Sequence, residues 1–329
     1  MCTSLGIQIS NGHCFFGRNM DIPYQFNQSV MIIPKNYLLT NKITNKKQVT
    51  KHTMIGMGTV IDGHPVLADG MNEVGLACAG LNFEGYAYFE KELIDKKENV
   101  TPYDFIWWVL SNFETIEEVK VGAKNLHLVD CPINENTPVP KLHWMISDRT
   151  GKSIVIEKTK EALTVHDNTI GVMTNNPTFD WQLTNLKQYL IVSPYSPKQT
   201  NWSNHPLNAL GVGAGTMGIP GDFGSVSRFV RIAYVAAHMP KLENDKEAIT
   251  HFFHMLDYVK MIKGGVLTED GLEDLTIYSS CMDLQKGIYY YKTYENNRIN
   301  GINMFKAVLD EEKVIQFSYL SEQDINYQN

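Results

Sequence analysis

Cys2 directly follows Met1, and the run Arg18-Asn19-Met20-Asp21 stands a short way downstream. These residue types could carry out acyl transfer. The thiolate is the reactive form of cysteine. Once Met1 is removed, Cys2 bears a free α-amine. An amine of ordinary pKa, about 7.7–8.0, can take the thiol proton without any histidine. Asp21 would hold that amine in place, and Arg18 would favour the thiolate, as a close positive charge does. A small residue after Met1 also has a general explanation, since it permits loss of the methionine. The charged run sharpens the functional reading, because such a cluster at the end of an apolar strand is costly when buried and unpaired.

The elements that must position these residues begin with a hairpin. Leu5, Ile7 and Ile9 alternate with Gly6, Gln8 and Ser10, Asn11-Gly12 supplies a turn, and His13-Cys14-Phe15-Phe16 returns. A two-residue turn places Ser10 opposite His13, Ile9 opposite Cys14 and, counting outward, Cys2 opposite Asp21. The same count sets Arg18 opposite Leu5, on the other face, unless a bulge at Gly17 re-aims it. A terminus tied into a sheet in this way is the exception among termini.

Further hairpins are expected at 65–81 around Met71-Asn72-Glu73, at 144–156 around Asp148-Arg149-Thr150-Gly151, and at 287–301 around Glu295-Asn296-Asn297. Helices fall between them. Thr101-Pro102 begins one, and Thr115 with Glu118 forms a capping box for another. Residues 179–190, 227–237 and 247–262 carry three more. Hairpins dominate and helices arrive in groups. The pattern is therefore an α+β fold, antiparallel sheets covered by helices, in a single domain over residues 2–329 with Met1 removed.

Composition narrows the function. The 329 residues carry a formal net charge of −7 and no basic stripe, so no nucleic-acid partner is expected. The longest basic cluster, Lys46-Lys47 with Lys51, reads as a solvated loop. No apolar run is long enough to span a membrane, and no leader peptide is evident, so the expected location is cytoplasmic. The five cysteines are scattered and odd in number, against a disulfide framework. His251 and His254 share a helical face without a third ligand, so no metal and no cofactor are expected.

The motifs resemble the choloylglycine hydrolase family of N-terminal-nucleophile hydrolases. They are Met-Cys-Thr at the start, Phe16-Gly17-Arg18-Asn19-Met20-Asp21, Asn72-Glu73-Val74-Gly75-Leu76, Gly80-Leu81-Asn82-Phe83, Leu142-His143-Trp144, Thr174-Asn175-Asn176-Pro177, Gly218-Ile219-Pro220-Gly221-Asp222 and Ser227-Arg228-Phe229. They run in order over essentially the whole chain. Within the family the resemblance is closest to bile salt hydrolases, with penicillin V acylases as the sister group. It implies a four-layer αββα sandwich, a homotetramer, and hydrolysis of glycine- or taurine-conjugated bile acids. Cys2 would be the nucleophile and its α-amine the base, with Arg18, Asp21 and Arg228 as charged neighbours. The Asn82 backbone N–H and the Asn175 side chain would be oxyanion donors. Asn82 also favours the bile salt branch, where penicillin acylases usually have Tyr. Taken alone, Asn82 and Asn175 read more readily as turn residues. Met20, Ile22, Phe26, Ile61, Ile133 and Leu142 are candidates, with Asn82, for the substrate pocket, and each reads equally as core.

Other readings are weaker. Penicillin V acylase would use the same Cys2 machinery with a different pocket. Gly213-Ala214-Gly215-Thr216-Met217-Gly218 matches G-x-G-x-x-G, but no buried strand precedes it and Pro220-Gly221 follows where a helix should run. A mobile glycine-rich loop at the site entrance fits better. Cys78, Cys131 and Cys281 lack the context of a papain-like nucleophile.

Overall fold

The computed structural model describes residues 1–44, 47–310 and 312–329. The Lys46 part of the basic cluster lies outside the described residues. Fourteen strands build the two main sheets. In chain order they are β1 (Cys2–Gln8), β2 (Cys14–Ile22), β3 (Ser29–Ile33), β4 (Met54–Ile61), β5 (His64–Asn72), β6 (Leu76–Asn82) and β7 (Leu142–Asp148). There follow β8 (Ser153–Lys158), β9 (Leu163–Asp167), β10 (Val172–Met173), β11 (Leu275–Asp283), β12 (Ile288–Thr293), β13 (Asn300–Asn303) and β14 (Ile315–Phe317). The six-stranded sheet runs β10-β1-β2-β11-β12-β13, and the eight-stranded sheet runs β9-β8-β7-β6-β5-β4-β3-β14. Pairing within both is antiparallel.

Among the described residues there are five helices: α1 (Phe105–Asn112), α2 (Ile116–Ala123), α3 (Phe179–Leu186), α4 (Ser225–Ala237) and α5 (Asp245–Asp257). α1 and α2 pack on the larger sheet, and α4 and α5 on the smaller one. Strands β1 and β2 face β6 across the middle. The order of layers is thus helix, sheet, sheet, helix, the expected αββα sandwich. One apolar cluster joins the inter-sheet layer to α4 and α5; a second, including Trp108, Trp144 and Ile146, lies between the larger sheet and α1 and α2.

All four expected hairpins form, and one register differs. Gly12 takes a φ of +87°, open to glycine without strain. Ile9 N–H bonds to His13 O at 2.9 Å, and Gly12 N–H bonds to Ile9 O at 2.9 Å. The loop is therefore Ser10–Gly12, three residues rather than two, a hairpin class built on a left-handed glycine. Every pair moves by one: Gln8 faces Cys14, Ser4 faces Arg18 and Cys2 faces Met20. Gly17 is glycine for a different reason, since a Cβ there would meet Ser280 O of β11 at 2.0 Å.

Helix ends also shift. Thr101-Pro102 lies in a turn, and α1 starts at Phe105 after Asp104, whose N–H bonds back to Thr101 O at 3.0 Å. The Thr115 hydroxyl accepts from Glu118 N–H as expected, while the Glu118 carboxylate reaches Glu114 N–H. α3 gives way to a 3₁₀ turn at Lys187–Tyr189, and α5 stops at Asp257.

Candidate active site

Successive residues of a strand point to opposite faces. The observed register puts Cys2, Ser4, Arg18 and Met20 on one face, toward the larger sheet. Thr3, Asn19 and Asp21 point to the other, toward α4 and α5. The contacts agree: Arg18 Nη1 donates to Gly80 O at 2.5 Å, and Asn19 Nδ2 donates to Leu256 O of α5 at 2.9 Å. No bulge at Gly17 is needed to bring Arg18 to the thiol. Its Nη2 donates to Cys2 Sγ at 2.5 Å and approaches Met20 Sδ at 3.4 Å. Burial works against the Arg18 charge, yet Cys2, Tyr278, Asp69 and Asp21 together hold its pKa above the ordinary value.

The same register corrects the expectation for Asp21. It stands opposite Met1, its N–H bonding to Met1 O at 3.0 Å, and its carboxylate lies on the α4 side, away from the thiol. Thr276 Oγ1 donates to Asp21 Oδ1 at 2.5 Å, and Arg228 Nη1 lies 3.9 Å from Oδ2. Burial pushes the Asp21 carboxyl up; Arg228, the terminal ammonium and Thr276 pull it back. The Met1 ammonium donates to Asp21 O at 2.5 Å and to Asp274 Oδ2 at 3.3 Å. With Met1 attached, Cys2 N is an amide, and it donates to Asn175 Oδ1 at 2.8 Å.

Arg228, on the first turns of α4, ties these parts together. Nη1 donates to Cys2 O at 2.5 Å and to Thr3 Oγ1 at 2.7 Å, and Nη2 donates to Asn175 Oδ1 at 2.7 Å. Burial pulls its pKa below the ordinary value. Two donors on Asn175 Oδ1 fix the amide's orientation, so Nδ2 faces the other way. It donates to Asn82 O at 2.7 Å and keeps one further hydrogen. Asn175 N–H is held in turn by Ser225 Oγ at 2.9 Å, at the start of α4.

Asn82 ends β6. Phe83 N–H bonds to Lys141 O on the β7 side. Alternation along the strand therefore turns the Asn82 N–H and C=O to the opposite side, where Arg18 and Asn175 lie. Its side chain is exposed. Cys2, Arg18, Asn82, Asn175 and Arg228 thus converge, and the Asp21 carboxylate joins from behind. Sequence reasoning missed Thr3, Ser225, Thr276 and Asp274, ordinary hydroxyls and an acid whose roles depend on strands far apart in the chain.

The pocket candidates fall in several places. Met20 Sδ lies 3.9 Å from Cys2 Sγ. Ile22 and Phe26 pack against the inter-sheet cluster. Ile61, at the end of β4, and Ile133, in a loop, are partly buried, and their neighbours are joined by Asn134 Nδ2 donating to Asp62 Oδ2 at 2.6 Å. Leu142 packs on the helix side of the larger sheet, against the second cluster. The segment Gly213–Gly218 forms a 3₁₀ turn at Ala214–Thr216, and the strand before it, His205–Leu207, is short and largely exposed rather than buried. Cys78 and Cys281 are buried, with thiols pushed up by burial. Among the described residues one metal-type grouping occurs, His13, Asp245 and Asp283, at the far end of β1 and β2, and Lys286 Nζ already pairs with Asp245. It does not include His251 or His254.

Two antiparallel sheets between helical layers, with a cysteine heading an interior strand, define an N-terminal-nucleophile hydrolase fold. Residues 2–317 match the linear amide C–N hydrolases of the choloylglycine hydrolase family, and the chain belongs to that family. The bile salt hydrolase/transferase of Clostridium perfringens is 50% identical over 329 residues, 100% of both chains. That of Lactiplantibacillus plantarum is 39% identical over 98% of each. The crystal structure of the C2A mutant of the conjugated bile acid hydrolase from Clostridium perfringens has a TM-score of 0.94, at 50% identity and 100% coverage of both chains. The penicillin V acylase of Agrobacterium tumefaciens has a TM-score of 0.74 at 25% identity, over 96% of this chain and 90% of that one.

Proposed function

We propose that this enzyme hydrolyses the amide bond of glycine- or taurine-conjugated bile acids. The observation that carries the proposal is the Cys2 thiol 2.5 Å from a buried arginine, in a chain 50% identical to a bile salt hydrolase/transferase over its full length. After loss of Met1, the Cys2 α-amine takes the thiol proton. The thiolate attacks the amide carbonyl, and a C–S bond forms. Asn82 N–H and the remaining Asn175 Nδ2 hydrogen receive the oxyanion. The amine passes its proton to the departing nitrogen, the C–N bond breaks, and glycine or taurine leaves. Water, deprotonated by the same amine, then clears the thioester. An amine in place of water would give acyl transfer, in keeping with the second half of the relatives' name. Asn175 Oδ1 orients the Cys2 amine, Arg228 orients Asn175, and Asp21 supplies the charge behind them. Met20, Ile22, Phe26, Ile61, Ile133 and the Asn82 side chain would line the acyl pocket.

We read residues 2–329 as one domain that works in the cytoplasm as a homotetramer. Five unpaired cysteines support a reducing compartment. Exposed Trp202, Leu210 and Val212 support self-association.

The test combines intact mass with turnover of glycocholate, taurocholate and penicillin V, for wild type and Cys2→Ser. The expected result is a mass lacking Met1 and bile salt cleavage that disappears in the variant. Cleavage of penicillin V alone would move the enzyme to the acylase branch. A retained Met1 with undiminished activity in Cys2→Ser would overturn the mechanism.

A further inference from the structure

Asp69 of β5 is fully buried in the inter-sheet layer and has no part in the steps above. Tyr278 of β11 and Tyr289 of β12 each donate a hydroxyl to it, to Oδ2 and Oδ1, both at 2.6 Å. An acid accepting on both oxygens has the bonding pattern of a carboxylate. Burial pushes its carboxyl up, and Arg18 and the two phenols pull it back. Its chain neighbour Ala68 accepts from Arg18 Nη1 at 3.2 Å. The ionisable and polar groups facing it are Arg18 of β2, Tyr278 and Ser280 of β11, Tyr289 of β12 and the Cys78 thiol of β6.

Arg18, Arg228, Asp21 and Asp69 are each 0% exposed. Two positive and two negative charges therefore close on neutrality before Cys2 adds its own. Without Asp69 the set carries a surplus positive charge beside the thiol. We propose that Asp69, held by Tyr278 and Tyr289, is a positioning residue that offsets Arg18 and keeps the Cys2 proton exchangeable. A thiolate stabilised too far is a poorer nucleophile, because intrinsic nucleophilicity falls with basicity. The proposal rests on the reading of Cys2 as nucleophile.

The test is alkylation of Cys2 by iodoacetamide in the mature full-length protein, mapped by peptide mass, for wild type and Asp69→Asn. It needs no substrate, so it stands apart from the bile salt assignment. Asp69→Asn should alkylate about 3–10-fold faster near pH ~6, an advantage that disappears as pH rises. Glycocholate turnover should fall in the same variant. An unchanged or slower rate near pH ~6 overturns the proposal. Where Asp69→Asn fails to fold by circular dichroism, Tyr278→Phe/Tyr289→Phe decides by the same criterion, because stripping both donors drives the carboxyl to take up a proton.

Discussion

Asn175 is the residue on which the centre turns. Its Oδ1 accepts from Cys2 N and from Arg228, and its Nδ2 reaches Asn82 O. Asn82 contributes through its backbone, so the two asparagines should respond differently to truncation. Asn175→Ala removes a preorganised donor and should lower kcat by about 10²–10³-fold. Asn82→Ala keeps its N–H and should leave kcat within about tenfold, with the larger change in KM. Steady-state kinetics on glycocholate check both; equal losses of kcat would place the oxyanion elsewhere. Cys2, Arg18 and Asp21 were legible as chemistry because their types and spacing already suggested an activated thiol. Asp69 and Asp274 were not, since nothing local marks an acid whose partners lie on strands far along the chain.

The elements show why a correct hairpin can carry a wrong face. Asn11-Gly12 signals the turn, but whether Ser10 joins the loop depends on Gly12 adopting a left-handed φ. A one-residue slip moves every side chain across the sheet. That slip alone set Arg18 on the far face and paired Cys2 with Asp21; the observed loop reverses both. The start of α4 was easier to misplace than to miss. Asp222 Oδ1 accepts from Gly224 N–H at 2.8 Å, and Oδ2 accepts from Ser227 Oγ at 2.6 Å, stitching the turn that presents Arg228. The Ser227 hydroxyl and the Gly224 N–H hold the Asp222 carboxyl below its usual range. A carboxyl lowered in the folded state stabilises above the unfolded value, about 3.9, and that contribution is lost as pH falls through the folded value. Asp222→Ala should thus cost about 0.5–1 kcal/mol near neutrality, the lower part of the range for a helix cap because the group is exposed. Urea unfolding of both proteins should show the gap closing below about pH 4. A gap independent of pH would mean that the carboxylate charge contributes nothing.

At the scale of the molecule, one stretch departs from the usual balance of buried apolar and exposed polar surface. Between residues 190 and 217, Leu190, Ile191, Tyr195, Trp202, Leu210, Val212 and Met217 are each at least 74% exposed. Single exposed apolar residues are ordinary, but a succession on one excursion is the kind of surface the proposed tetramer would cover. The excursion carries its own two-stranded ribbon, Thr200–Trp202 with His205–Leu207, and so presents a shaped edge. It also leads through the glycine-rich segment and Pro220 into the turn that launches α4. Assembly at this surface would steady the route to Arg228. Sedimentation equilibrium should then give a multiple of the 37.4 kDa chain, four-fold for the expected tetramer. Trp202→Ser/Leu210→Ser should shift the mass toward smaller species, with Cys2 alkylation largely retained because the thiol lies inside the sandwich. A monomeric wild type would remove the tetramer. An unchanged assembly in the double variant would move the interface to another face of the molecule.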